Sequence, residues 1–184
     1  MNKRFFPIKN FEARVFVTNP DLFLKKLLTV GGQKIKNSKF TDYIYEPKGK
    51  QWDLSKQDFK LRIFTDEKGK EVAEFRYHPS EFKDGIKREI LFFDAVIPHK
   101  EDAFKMLEDW NFRELFHFDR ISEVYEVADQ LVTLENIEGL GWMVEVEGDR
   151  WDEVEKLMTK LNIFGDRVAK TLPELVQELR NKKK

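Results

Sequence analysis

The chain has 184 residues, no cysteine, and 33 basic side chains against 34 acidic ones. That length suits one domain, residues 1–184, with a core of its own, and the lack of thiols excludes disulfides, zinc-thiolate sites and cysteine nucleophiles. The charge balance argues against a generic binder of nucleic acid or of a membrane surface. Residues 1–10 hold no apolar leader core and no apolar run approaches bilayer length, so the expected location is the cytoplasm.

Residues 11–17 alternate Phe and Val with Glu12 and Arg14, the period-two pattern of a strand with one polar face. Asn19-Pro20-Asp21 stops it and starts a helix whose expected apolar stripe is Leu22, Leu24, Leu27 and Leu28, closed by Gly31-Gly32. A long strand follows near 39–46. Strands over 58–64, 71–77 and 86–93 come next, with polar turns at Lys68-Gly69 and Lys83-Asp84-Gly85. Pro98 opens a second helix with Ala103, Phe104, Met106 and Leu107 as its apolar positions. Residues 112–127, 130–135 and 142–147 are three further strands. A third helix over 149–161 takes Asp149 as its cap and a Trp151, Val154, Leu157, Met158, Leu161 stripe for the core. A fourth over 171–180 starts on Thr171 with Pro173 in its first turn.

After the tight Gly139-Leu140-Gly141 turn, Glu145 and Glu147 sit two apart. Their carboxylates therefore share one face of a strand, and Val144 and Val146 share the other. The same spacing recurs in Glu12 with Arg14, Glu74 with Arg76, and Lys87 with Glu89, while Arg62, Arg120 and Glu135 add charges on other strands. If these faces are solvated, each cross-strand pair is worth roughly a few tenths of a kcal/mol and no site follows. If they line a lumen, the arrangement is expensive for stability alone. It then suits cations that grip a polyphosphate and carboxylates that hold Mg²⁺ or Mn²⁺. Many antiparallel strands, each with one charged face, call for a closed or nearly closed barrel that hides its edges. The expected fold class is therefore α+β, an antiparallel β-barrel or tunnel of about eight strands with helices packed outside. His78, His99 and His117 are not spaced as a metal pair, and the glycine pairs lack the following helix of a phosphate-binding loop.

Several segments carry a resemblance. Glu138-Gly-Leu-Gly-Trp-Met-Val-Glu-Val-Glu147 looks like a G-L-G-x-F-V-E-I-E segment, and Leu134-Glu135-Asn136-Ile137 stands at the place of L-D-x-V. Asp58-Phe-Lys-Leu-Arg-Ile-Phe64 is similar to D-x-x-L-R-I-R, Thr41-Asp42-Tyr43-Ile44-Tyr45 to x-D-x-Y, and Thr171-Leu-Pro-Glu-Leu-Val176 to S-Y-x-x-L-L. From about residue 10 to 176 the chain resembles the CYTH superfamily, the triphosphate tunnel fold of class IV adenylyl cyclases, thiamine triphosphatases and inorganic triphosphatases. The class IV cyclase branch is nearest in length and layout. The departures are specific. The E-x-E-x-K signature reads Asn10-Phe-Glu12-Ala-Arg14, the second Arg of L-R-I-R is Phe64, and T-x-K reads Glu74-Phe-Arg76. R-x-E-x-E reads Lys87-Arg-Glu89-Ile-Leu91, and K-x-R reads Arg120-Ile-Ser122.

The resemblance implies a triphosphate-containing small molecule as partner, gripped by Arg14, Arg62, Arg76, Lys87 and Arg120. It also implies Mg²⁺ or Mn²⁺ on Glu12, Glu89, Glu145 and Glu147, with Glu12 and Arg14 as the catalytic pair. Arg14 keeps the charge of the signature Lys, but its pKa is too high for a general base. The implied activity is conversion of ATP to cyclic AMP and diphosphate. Hydrolysis of thiamine triphosphate or tripolyphosphate, triphosphate binding with weak turnover, and an interaction role on an inherited fold are the alternatives. No membrane or nucleic-acid partner is expected, and a homodimer is left open.

Overall fold

Period-two alternation dominates the chain, and it is realised as nine strands in a computed structural model. The structure describes residues 11–65, 69–83, 86–89 and 93–182, apart from the side chains at 78, 80, 81, 83, 88 and 89. The strands are β1 (Phe11–Phe16), β2 (Gln33–Pro47), β3 (Gln57–Thr65), β4 (Glu71–Lys83), β5 (Ile86–Glu89), β6 (Phe93–Ile97), β7 (Phe112–Val127), β8 (Gln130–Ile137) and β9 (Gly141–Gly148). All described pairings are antiparallel and run β3-β2-β7-β8-β9-β1-β5-β4-β6, with β3 also paired to β4. The sheet thus rolls back on itself, with β5 and β6 following one another along the edge of β4 that β3 leaves free. It is not an evenly closed barrel, because the β1–β5 seam rests on two described pairs, Phe11 with Arg88 and Glu12 with Lys87.

Among the described residues nine strands stand where eight were expected, because residues 86–93 hold β5 and the first residue of β6. β5 pairs with the far end of β4, whereas β6 pairs with its near half, Ala73–Tyr77 against Phe93–Ile97. Residues 84, 85 and 90–92, and so part of that expected strand and its turn, lie outside the described residues.

Three cores place the helices. The helices are α1 (Pro20–Thr29), α2 (Lys100–Asp109), α3 (Trp151–Lys160) and α4 (Leu172–Asn181). Val144 and Val146 of β9 join Ala13 and Val15 of β1 in a core under α1 and α3, which contribute Phe23, Leu27, Val154, Leu157 and Met158. α2 buries Ala103 and Leu107 on the outward face of β3 and β4, against Leu61, Ala73 and Phe75. α4 covers one end of the roll, where Leu172 and Val176 meet Ile44, Phe116, Phe118, Ile137 and Met143. Thr171 caps α4 as expected. Its hydroxyl accepts from the Glu174 N–H at 3.2 Å and donates to the Leu54 carbonyl at 2.7 Å. Two local expectations fail. In α1, Leu22 and Leu28 are 52% and 53% exposed, because the Asn19 cap sets a phase that turns Phe23 and Leu27 inward. α3 begins at Trp151 after Arg150, with no side-chain cap from Asp149. No described helix is long and apolar enough to cross a membrane.

Gly139 has φ +77°, and a Cβ there would lie 2.7 Å from Leu179 Cδ2 of α4. Gly141 has φ +90° with open space around it. Gly141→Ala should therefore cost only the backbone penalty, about 1–2 kcal/mol. Gly139→Ala should cost somewhat more, since the end of the Leu179 side chain must also give way. Urea titration of the two variants checks this, and equal losses would show that α4 does not press on the turn.

Candidate functional site

The inward face of the rolled sheet surrounds a cavity of about 330 Å³. β1 supplies Glu12 and Arg14, β3 supplies Asp58, Lys60 and Arg62, and β9 supplies Glu145 and Glu147. Arg76 comes from β4, Lys87 from β5, Arg120 and Ser122 from β7, and Glu135 from β8. Thr171, Leu172 and Pro173, at the start of α4, line the cavity as well. The alternation of β7 shows how one strand builds both floor and wall. Phe116 and Phe118 enter the core beneath α4, and two and four residues further on the same face presents Arg120 and Ser122.

The expected cations Arg14, Arg62, Arg76, Lys87 and Arg120 all reach this one cavity, as do the expected carboxylates Glu12, Glu145 and Glu147. The solvated-face reading of these charges is thereby excluded. The side chain of Glu89 lies outside the described residues, as does Asn10.

Each lumen guanidinium is aimed by a carboxylate. Asp42, fully buried behind the wall, accepts from Arg62 Nε at 2.7 Å and Nη2 at 3.0 Å, and from Arg120 Nη1 at 3.0 Å. Arg120 also bonds Glu135 through Nη2. Arg76 donates to Asp94 of β6 at 3.0 and 3.3 Å and lies 3.6 Å from Glu74. Lys60 stands 2.9 Å from Asp58. The Arg62 guanidinium lies over the Phe40 ring, 3.8 Å from its centroid. Such bidentate anchoring fixes the direction of the remaining N–H groups, the geometry that recognises phosphate. Burial lowers the Lys60 ammonium below its ordinary pKa despite Asp58, so an anion in the lumen would favour its charged form.

The carboxylates gather at one place. One oxygen each from Glu12, Glu145 and Glu147 lie within 4.8 Å of one another. Arg14 bridges two of them, with Nη2 2.5 Å from Glu12 and Nε bonded to Glu145, while Lys87 Nζ donates to Glu12 at 3.0 Å. Burial opposes ionisation of Glu145, but the charge of Arg14 outweighs it and holds this carboxyl well below the ordinary range. Burial, then the negative charge of Glu145, raises Glu147 well above that range. Three hard oxygen donors on rigid neighbouring strands fit Mg²⁺ or Mn²⁺.

A family model of the CYTH domain matches residues 9–171. The chain belongs to the CYTH domain family. In three dimensions this CYTH protein is similar to the PH1819 protein of Pyrococcus horikoshii OT3, at 21% identity and a TM-score of 0.75 over 92% of this chain and 98% of that one. It is similar to a Vibrio parahaemolyticus protein named as a candidate adenylate cyclase, at 16% identity and a TM-score of 0.71 over 92% and 98%. A Hippeastrum protein named as a candidate adenylyl cyclase, with a dominant triphosphatase activity, is 13% identical, with a TM-score of 0.60 over 84% and 88%. At these identities the likeness establishes a common fold. No curated protein matches the chain significantly.

Three charged lining residues of this CYTH tunnel, Lys36, Asp58 and Lys60, and the buried Asp42 beside the lumen are absent from the site drawn from the sequence. Lys60 is two residues before Arg62, the same spacing that paired the other charges, and was therefore findable. Asp58 and Asp42 stand in the quoted motifs but had no assigned role. Lys36, exposed at the rim, lies in a stretch where polar residues occupy both strand faces, so alternation gave no signal.

Proposed function

We propose that the tunnel binds the triphosphate end of a small molecule, tripolyphosphate or a nucleoside triphosphate, with Mg²⁺ or Mn²⁺, and hydrolyses the terminal phosphate. The observation that carries this is one lumen in which, among the described residues, seven cations (Arg14, Lys36, Lys60, Arg62, Arg76, Lys87 and Arg120) surround a three-carboxylate cluster. Glu12, Glu145 and Glu147 would hold the metal, which supplies polarisation of phosphoryl oxygens when bound. Arg62, Arg76 and Arg120, each anchored by a carboxylate, bind the phosphate chain, with Lys60 and Lys87 as point charges beside them. Arg14 stabilises charge on the transferring group and remains protonated throughout, since its carboxylate neighbours outweigh burial and raise its pKa. Water attacks the terminal phosphorus and the bond to the bridging oxygen breaks. The diphosphate end keeps the electron pair, and the water proton passes to the phosphate products.

The lining supports hydrolysis over the cyclisation that an adenylyl cyclase performs. Cyclisation requires the base and ribose to be held so that the 3′-hydroxyl reaches the α-phosphate. Among the described residues, Phe40, Val124, Leu172 and Pro173 are the apolar ones in the lining, and the Phe40 ring is already covered by Arg62.

An activity and thermal-shift panel across ATP, GTP, thiamine triphosphate and tripolyphosphate tests the reading. Metal-dependent phosphate release without cyclic AMP is expected. Tripolyphosphate at a hundred times its dissociation constant should stabilise the fold by about 2.7 kcal/mol, a rise of about 5–10 °C in Tm. No shift at millimolar tripolyphosphate, with or without Mg²⁺, would remove the ligand. Cyclic AMP as the main product from ATP would favour the cyclase reading.

A further inference from the structure

We infer that Arg14 is a built-in counter-cation of the carboxylate cluster, displaced when metal binds and drawn off by triphosphate, so that metal and triphosphate load the tunnel cooperatively. The inference rests on the proposed reading of the site and adds the order of its assembly.

The guanidinium is not merely near the cluster. Its Nη2 lies 2.5 Å from Glu12 Oε1 and its Nε donates to Glu145 Oε2, so it occupies oxygens of two of the three carboxylates that would hold a metal. Lys87 engages the other Glu12 oxygen at 3.0 Å. Two cations against three carboxylates leave the cluster one negative charge at most, and a dication turns that into one excess positive charge. That excess would sit in a lumen already lined by Lys60, Arg62, Arg76 and Arg120. Metal alone therefore meets both competition for its oxygens and cationic repulsion. A triphosphate removes both obstacles. It brings several negative charges, and its oxygens accept the Arg14 Nε–H that Glu145 now holds and replace Glu12 as an ion-pair partner of Nη2. The fork of a guanidinium matters here, because a lysine at this position would be a single point charge without two differently directed donors.

The inference gives one substitution two effects of opposite sign. With Mn²⁺ alone, followed by the paramagnetic resonance of free ion, Arg14→Gln should bind about tenfold more tightly than wild type, since a charge-assisted pair no longer competes. With tripolyphosphate in EDTA, followed by calorimetry, the same variant should bind about tenfold more weakly. Arg14→Lys, which keeps charge but cannot bridge, should lie between the two in Mn²⁺ affinity. A residue that only supported the fold would lower both affinities together. The inference is overturned if Arg14→Gln moves both affinities in the same direction or leaves either unchanged. Should Arg14→Gln not fold, equal Mn²⁺ affinity of Arg14→Lys and wild type overturns it. The parent reading fails separately, if wild type binds no tripolyphosphate or if Glu147→Gln leaves Mn²⁺ affinity intact in both backgrounds.

Discussion

Replacing Glu145 and Glu147 together by Gln is expected to lower metal-dependent kcat/KM for tripolyphosphate by at least ~100-fold. The two carboxylates lie on one face of β9, with their backbone held between β1 and β8, so the substitution removes charge without moving the strand. Val144 and Val146, on the opposite face, keep the core under α1 and α3 intact. Glu147→Gln alone separates metal binding from stability. Burial and Glu145 raise the Glu147 carboxyl, so the folded protein holds its proton to higher pH than the unfolded chain does. Its contribution is present below the ordinary carboxylate value and is lost as pH rises through the raised one. At neutral pH the metal-free Gln variant should thus be the more stable protein, while binding Mn²⁺ more weakly. Parallel melting curves and Mn²⁺ titrations read both. Wild-type turnover in the double variant would show that the metal site is misassigned.

The largest loss of stability is expected at Asp42. It has no exposed surface, and it accepts bonds from both Arg62 and Arg120, so Asp42→Asn takes from the partly buried Arg62 the anion that aims it and leaves the buried Arg120 with Glu135 alone. Breaking a buried pair in this way costs about 3–5 kcal/mol, a fall of about 10 °C in Tm for a chain of this size. Burial pushes the Asp42 carboxyl up, but the charge and hydrogen bonds of Arg62, then the charge of Arg120, outweigh it and hold it far below its ordinary value of 3.8. The folded protein therefore binds fewer protons there than the unfolded chain. The stability Asp42 supplies is complete above that ordinary value and is lost as pH falls below it. Asp42→Asn should flatten the acid limb of the stability profile. An unchanged acid limb would mean that other carboxylates govern acid unfolding.

The lumen was readable where alternation was clean. Val144, Glu145, Val146 and Glu147 declare two faces at once, and the residues on those faces went to core and cavity as their chemistry requires. β7, expected over 112–127, has those bounds, and its buried and exposed residues alternate strictly from Phe116 to Ser122. The Trp151 to Leu161 stripe likewise reached the core. What stayed hidden depends on partners distant in sequence. Asp94 orients Arg76 only because β6 pairs with the near half of β4, and residues 93–97 by themselves look like the end of a strand before a helix. Asp42 matters because β2 lies between β3 and β7, which brings Arg62 and Arg120 to it from opposite sides. In α1, five apolar residues within seven positions left the helix phase ambiguous, and the capping geometry settled it.

Manganese anomalous diffraction from crystals soaked with Mn²⁺ and tripolyphosphate tests the central claim most directly. A manganese peak shared by carboxylate oxygens of Glu12, Glu145 and Glu147 is expected, with phosphate oxygens against Arg62, Arg76 and Arg120 and the Arg14 guanidinium turned from carboxylate to phosphate. A lumen without manganese, or tripolyphosphate bound outside it, would overturn the assigned site.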